Sequence, residues 1–97
     1  MRKIRAGFVG FGEVNTPREL IVRRCDEARR LLEAQGLELV HTAPVSDDPA
    51  GAGVARARKE LAAGGFDLLI ACVAGWIPSH AVINVLEPFK HLPILLW

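Results

Sequence analysis

The segment Asp-Leu-Leu-Ile-Ala-Cys-Val-Ala at positions 67–74 decides the fold of this chain. Its near-continuous apolar character predicts a strand buried on both faces, which is typical of parallel sheets. Residues 4–11, 37–41 and 92–97 are shorter segments of the same strand-like kind. Segments with apolar residues at helical spacing separate these strands. The alternation predicts a parallel α/β domain, a flavodoxin-like or Rossmann-like three-layer sandwich of about four strands in the order 2-1-3-4.

The first helix has recognisable signals at both ends. Thr16 is predicted to cap it, Pro17 suits the first helical position, and Glu19 completes a capping box. Gly36 is expected to end this helix in the left-handed conformation. The later helices are predicted over about residues 50 or 54 to 63 and over about residues 78 to 86 or beyond.

Length and composition limit the classes of protein to which the chain can belong. Its 97 residues, 51% of them hydrophobic, suit a single domain over residues 1–97 with a well-filled core. A net charge of +1 gives no strong attraction to nucleic acid or to an anionic membrane. We expect neither a secretory signal nor a membrane-spanning segment. Cys25 and Cys72 do not make a disulfide framework, so the reducing cytoplasm is the simplest localisation.

The last predicted strand, residues 92–97, is as apolar as a strand that is covered on both faces. No helix follows it in this sequence, so a free domain would expose a sticky sheet edge. We therefore expect the chain to be the N-terminal fragment of a larger multidomain protein, or an oligomeric partner to pack against this strand.

Ligands of open parallel α/β sheets bind at the carboxyl ends of the strands, beside the point where the strand order reverses. The loops that leave the strands at this edge are residues 10–15, 42–53 and 75–80. With the strand order 2-1-3-4, the first and third of these loops are neighbours. A candidate site is therefore expected between them.

The first loop resembles the dinucleotide-binding pattern G-x-G-x-x-G, but Asn15 takes the place of the last glycine. The acidic residue expected near the end of the second strand is also missing, since that strand ends at His41. The sequence thus argues against binding of NAD. Two interpretations remain: the glycines simply let the chain turn into the helix, or a polar ligand approaches Glu13, Asn15 or the helix amides.

The third loop contains an aromatic residue and a histidine. Trp76 follows a buried strand, where it could stack on a sugar ring, cover a cleft or plug the core. His80 falls in the first turn of the third helix, where it is either a surface hydrogen-bonding residue or part of a site. No nucleophile–base pair and no metal-ligand spacing is visible, and Asp47-Asp48 is typical of a solvated turn. We predict no catalytic or metal-binding residue in this chain.

The basic residues of the first helix could suggest a nucleic-acid interface. The pairs Glu19–Arg23 and Asp26–Arg30 have the i,i+4 spacing of a solvated, salt-bridged helix face. We interpret the whole cluster in that way: Arg18, Arg23, Arg24, Arg29 and Arg30.

Three segments together carry a resemblance to a known family. Residues 7–20 contain the glycine loop and the helix start, residues 67–80 contain the third strand and the segment Trp-Ile-Pro-Ser-His, and residues 92–97 read Leu-Pro-Ile-Leu-Leu-Trp. This resembles the N-terminal domain of the L-fucose isomerase / L-arabinose isomerase family, which has a similar glycine loop, a Trp-x-Pro-x-His segment and a Pro-x-Leu-Leu-Trp strand. The resemblance spans nearly the whole chain.

The resemblance implies an aldose–ketose isomerase that uses a divalent cation, usually Mn²⁺, held by residues of later domains. It implies a homo-oligomer in which this domain contributes subunit contacts and part of the sugar pocket. By resemblance the substrate-binding residues are Trp76, Glu13 and Asn15, with His80 in the most specific segment. The family loop often carries arginine or glutamine where this chain has Glu13, so the resemblance does not identify the sugar.

Two other functions fit the same sequence. One is a stand-alone flavodoxin-like module that binds a small polar ligand or a protein partner, against which the exposed last strand argues. The other is half of an oxidoreductase that binds NAD or a flavin, against which the incomplete glycine pattern argues.

Overall fold

The computed structural model describes residues 4–97 as a parallel sheet with helices on both faces. The strands pair in the order β2-β1-β3-β4, which confirms the predicted order and fold class. The elements follow one another as β1 (Arg5–Phe11), α1 (Arg18–Ala34), β2 (Glu38–His41), α2 (Ala52–Ala63), β3 (Leu68–Val73), α3 (Ser79–Leu86), a short 3₁₀ helix (Glu87–Phe89) and β4 (Ile94–Leu96).

The two central strands divide the core into two halves. Alternate residues of β1 and β3 point to opposite faces, so Phe8 and Ile70 pack under α1 while Phe11 and Leu69 pack under α2 and α3. Leu61 of α2 is fully buried in the second half. The burial of β3 on both faces confirms the interpretation of its apolar sequence.

The start of α1 differs from the prediction. The helix begins at Arg18, and no side chain caps it, so the capping box of Thr16 and Glu19 is wrong. Pro17 has an extended backbone and occupies the cap position, where its carbonyl accepts the amide of Leu20 at 3.1 Å. The helix therefore starts one residue later than the sequence signal places it. Thr16 instead closes a turn, since its amide donates to the carbonyl of Glu13.

The end of α1 is as predicted. Gly36 has a φ of 93°, which is the left-handed region that favours glycine. Its amide donates to the carbonyl of Glu33, and the amide of Leu37 donates to that of Leu32. This pair of bonds is a Schellman motif, which satisfies carbonyls at the helix end and turns the chain into β2.

Strand β4 lies at an edge of the sheet and exposes its apolar side chains. Leu95 and Leu96 are 52% and 66% exposed, and Trp97 beside them is 46% exposed. Leu31 and Leu32 of α1 border the same apolar surface. Within residues 4–97 nothing covers this strand, as its sequence led us to expect.

Candidate functional site

The loops after β1 and β3 are joined at the carboxyl edge of the sheet. The amide of Glu13 donates to the carbonyl of Trp76 at 2.7 Å. The amides of Ala74 and Gly75 both donate to the carbonyl of Phe11, at 2.9 and 3.2 Å. These bonds place the predicted residues Glu13 and Trp76 side by side, as expected for the strands that flank the reversal of order.

The loop after β2 joins the same group. Val45 extends the sheet edge, because its amide donates to the carbonyl of Gly10 at 2.8 Å and its own carbonyl accepts the amide of Gly12 at 3.1 Å. The carboxylate of Asp47 accepts the amide of Val14 at 2.9 Å. The loop after β1 is thus held on one side by the β2 loop and on the other by the β3 loop.

Gly12 is required by close packing and not by an unusual turn. Its φ lies outside the positive range, which in the described chain only Gly36 and Gly51 occupy. A Cβ at position 12 would overlap the side chain of Ile21 on α1. The interpretation of this glycine as a structural residue is therefore favoured, although its role is to let the helix approach the strand end.

A small open hollow lies between the loops after β1 and β2. Its volume is about 170 Å³, and Glu13, Thr16, Arg18 and Ser46 supply its polar lining. Arg18 makes no hydrogen bond or ion pair with any other residue from 4 to 97. We call this the Glu13 hollow: it offers a carboxylate acceptor, a free guanidinium donor and two hydroxyl groups.

Trp76 is 68% exposed, so the alternative in which it plugs the core is wrong. Its backbone is fixed by the bond from Glu13, while most of its indole surface faces solvent. Trp76 does not line the Glu13 hollow, but its loop is bonded to the backbone of Glu13, and an exposed indole is suited to stacking on a ligand that has one apolar face.

The remaining predicted site residues are not gathered in the Glu13 hollow. His80 lines a second hollow of about 220 Å³, together with Asp47, Asp48 and Asn84. Ser46 borders both hollows, so the β2–α2 loop separates them. Asn15 is exposed and lines neither one. The structure thus brings Glu13 and Trp76 together and leaves His80 and Asn15 outside that pair.

The adjacent carboxylates of the β2–α2 loop are not the solvated turn that the sequence suggested. While Asp47 holds the β1 loop, Asp48 accepts the amides of Ala52 at 2.8 Å and Gly53 at 3.2 Å. These backbone hydrogen bonds at the start of α2 lower the pKa of Asp48 below its usual range. Asp48 therefore caps α2 from outside the helix.

Replacing Asp48 with asparagine tests this cap through its pH dependence. A lowered pKa in the folded state gives stability that is present above the ordinary aspartate pKa of 3.8 and is lost as the pH falls below it. We expect Asp48→Asn to lower the melting temperature by a few degrees at pH 6, and this difference to shrink at pH 3. Thermal unfolding followed by circular dichroism measures it. Glu33→Gln, on the exposed end of α1, controls for the loss of one surface charge, and a difference that stays constant to pH 3 would contradict the cap.

One arginine of α1 has a role that the sequence did not reveal. Arg24 reaches from the helix to the end of β3 and donates from Nη1 to the carbonyl of Ala74 at 2.6 Å. Arg24 is exposed, as predicted for a solvated helix face, but it also holds the end of β3, which the prediction did not include. Its position three residues after the buried Ile21, at the edge of the apolar stripe, is the signal that could have indicated it.

The predicted i,i+4 ion pairs of this helix are also absent from residues 4–97. Asp26 pairs with Arg29 at i,i+3 instead of with Arg30. Nη1 of Arg29 lies 3.2 Å from Nε2 of His41, so the Arg29 side chain is directed toward the end of β2. The contact with His41 favours Arg29 as the ion-pair partner of Asp26, and such a contact cannot be predicted from spacing along the helix.

From residue 4 onward, no three His, Cys, Asp or Glu side chains cluster so as to hold a metal ion. No helix within the same range is long and apolar enough to cross a membrane. Comparison with protein-family models, curated proteins and solved structures gave no match to this chain.

Proposed function

We propose that the chain is the N-terminal domain of an aldose–ketose isomerase-like enzyme, in which it lines part of the sugar pocket and forms subunit contacts. The observation that carries the proposal is the bond from the Glu13 amide to the Trp76 carbonyl. It joins the loop that carries the largely exposed Trp76 to the backbone of Glu13, whose side chain lines the Glu13 hollow. An aromatic face beside fixed polar groups is the combination that recognises a sugar.

Each side chain in this arrangement has a part in binding. The indole of Trp76 stacks on the C–H face of the sugar, and the carboxylate of Glu13 accepts hydrogen bonds from sugar hydroxyls. Arg18 donates to sugar oxygens, and the hydroxyls of Thr16 and Ser46, which line the same hollow, donate or accept further hydrogen bonds. Together these groups orient the sugar, and none of them needs to transfer a proton.

The Glu13 hollow is too small and open to enclose a sugar by itself. We propose that further domains of the same protein, or a neighbouring subunit, complete the pocket and supply the Mn²⁺ and its ligands. The apolar surface of β4 is the face that such a contact would cover. No step of the isomerisation is assigned to this chain.

Titration of the ¹⁵N-labelled chain with L-fucose or L-arabinose tests the proposal by NMR. We expect chemical-shift changes at the Trp76 indole and at the amides of Glu13 and Ser46, with weak affinity because the pocket is incomplete. Trp76→Ala is expected to weaken binding roughly 10-fold or more, since buried contacts of tryptophan commonly carry over 1.4 kcal/mol. Trp97→Ala is the matched control, because Trp97 is also partly exposed but lies on the β4 surface.

Two results would contradict the proposal. The first is the absence of shift changes around Glu13 and Trp76, or an equal loss of binding in Trp97→Ala. The second is isomerisation of either sugar by the 97-residue chain with Mn²⁺, because that would place a complete active site within these residues.

A further inference from the structure

The two cysteines of the chain meet in the core half under α1. Cys25 of α1 and Cys72 of β3 are 4% and 8% exposed, and both thiols are free. Gly10 is the Cα partner of Cys72 in the sheet, and a Cβ on Gly10 would overlap the sulfur of Cys25. The absence of a side chain at Gly10 therefore lets the helix thiol reach down to the strand beside Cys72.

The two thiols also influence each other's protonation. Interaction with Cys72, together with burial, raises the pKa of the Cys25 thiol. Interaction with Cys25 lowers the pKa of Cys72, because it stabilises a thiolate there. Cys72 is also the more exposed of the two residues, so it is the better placed nucleophile, and Cys25 is the neighbouring thiol that keeps its proton.

We propose that Cys25 and Cys72 are an oxidative modification site, a dithiol that a small hydroperoxide converts into a disulfide. The Cys72 thiolate attacks one peroxide oxygen, the O–O bond breaks, and Cys72 becomes a sulfenic acid while hydroxide leaves. The sulfur of Cys25 then attacks the sulfur of Cys72, an S–S bond forms, and water leaves with the Cys25 proton. In sum, two thiols and one hydrogen peroxide give one disulfide and two waters.

The position of this dithiol connects it to the loop that carries Trp76. Arg24, next to Cys25, holds the carbonyl of Ala74, two residues after Cys72. Two adjacent residues of α1 therefore contact the C-terminal end of β3. The sulfur of Cys25 lies beside Cys72, and Arg24 donates to the carbonyl of Ala74, just after the strand. A disulfide at this place locks α1 to the strand that leads directly into the Trp76 loop.

Treatment of the folded chain with hydrogen peroxide tests the site by intact-mass spectrometry. We expect the mass to fall by two hydrogens, both thiols to become unreactive toward iodoacetamide after denaturation, and dithiothreitol to reverse both changes. In Cys25→Ala, Cys72 is expected to accumulate a sulfenic acid that dimedone traps. Because each alanine variant removes the partner that sets the difference between the thiols, their reactivity is compared in the unaltered chain, where iodoacetamide is expected to alkylate Cys72 roughly 10-fold faster than Cys25.

The same treatment in guanidinium chloride is the reference for geometry. Because the two thiols are held side by side only in the folded state, we expect the disulfide to form more slowly in the unfolded chain. Equal rates in the folded and unfolded chain would overturn the proposal. So would oxygen addition to both cysteines without loss of two hydrogens, or equal alkylation rates of Cys25 and Cys72 in the unaltered chain.

Discussion

Replacing Leu61 with alanine is expected to lower the free energy of unfolding by about 2–5 kcal/mol, the range for a leucine deleted from a packed core. Leu61 is fully buried on α2 and packs in the core half that contains Phe11, Leu69 and Val85. None of these neighbours can move into the vacated space without losing its own packing contacts, so a cavity remains. Urea unfolding monitored by circular dichroism measures the change.

Leu31→Ala is the matched control for this substitution. It makes the same chemical change in another helix, at a side chain that is 55% exposed. We expect its effect to stay within about 0.5 kcal/mol, as for most surface positions. Equal losses in Leu61→Ala and Leu31→Ala would show that α2 does not pack on the sheet as described.

The second large loss of stability is expected from Gly10→Ala, which adds a single methyl group. The new methyl group would overlap the sulfur of Cys25, so that either this sulfur must rotate out of its packed position or α1 must shift away from the sheet. Overpacking of this kind costs about 1–3 kcal/mol. Gly65→Ala is the control, because its methyl group meets nothing closer than 3.7 Å, at the end of the Arg5 side chain.

The double variant Gly10→Ala/Cys25→Ala decides whether the sulfur is the cause. Once that sulfur is removed, the nearest atom to the new methyl group is the Cys25 Cβ at 3.5 Å, an ordinary contact. We expect the free energy of unfolding of the double variant to be about 1 kcal/mol or more higher than the sum of the two single effects predicts. Strict additivity would mean that Cys25 does not lie over Gly10, and it would also remove the geometric basis of the proposed dithiol.

The parts of the candidate site that the sequence indicated are those that follow from topology. Trp76 and Glu13 each come directly after a buried strand, and parallel strands end at the same edge, so their proximity could be predicted from strand order. Asp47, Arg18 and Ser46 could not be found in this way. Their positions depend on how the loop after β2 folds back on the loop after β1, through bonds such as that from Val14 to Asp47.

Two sequence patterns in and before α1 did not predict the contacts that their residues make. Thr16 and Glu19 match a capping box, but the extended Pro17 takes the cap position and the helix starts after it. The arginines of α1 match a solvated face, but the carbonyl of Ala74 at the end of β3 lies within reach of Arg24. In both cases a neighbouring group in space or along the chain competed with the pattern, and sequence spacing does not describe that competition.

The sequence by itself determined the parallel α/β class, the strand order, the exposed apolar edge at β4 and the left-handed end of α1. These depend on hydrophobic periodicity and on the conformational freedom of glycine, which are properties of short segments. Only the tertiary structure decided that Trp76 faces solvent, that His80 lies in a separate hollow, and that Cys25 reaches Cys72 over Gly10. Those outcomes depend on how helices settle on the sheet, where the volume of one side chain fixes the position of another.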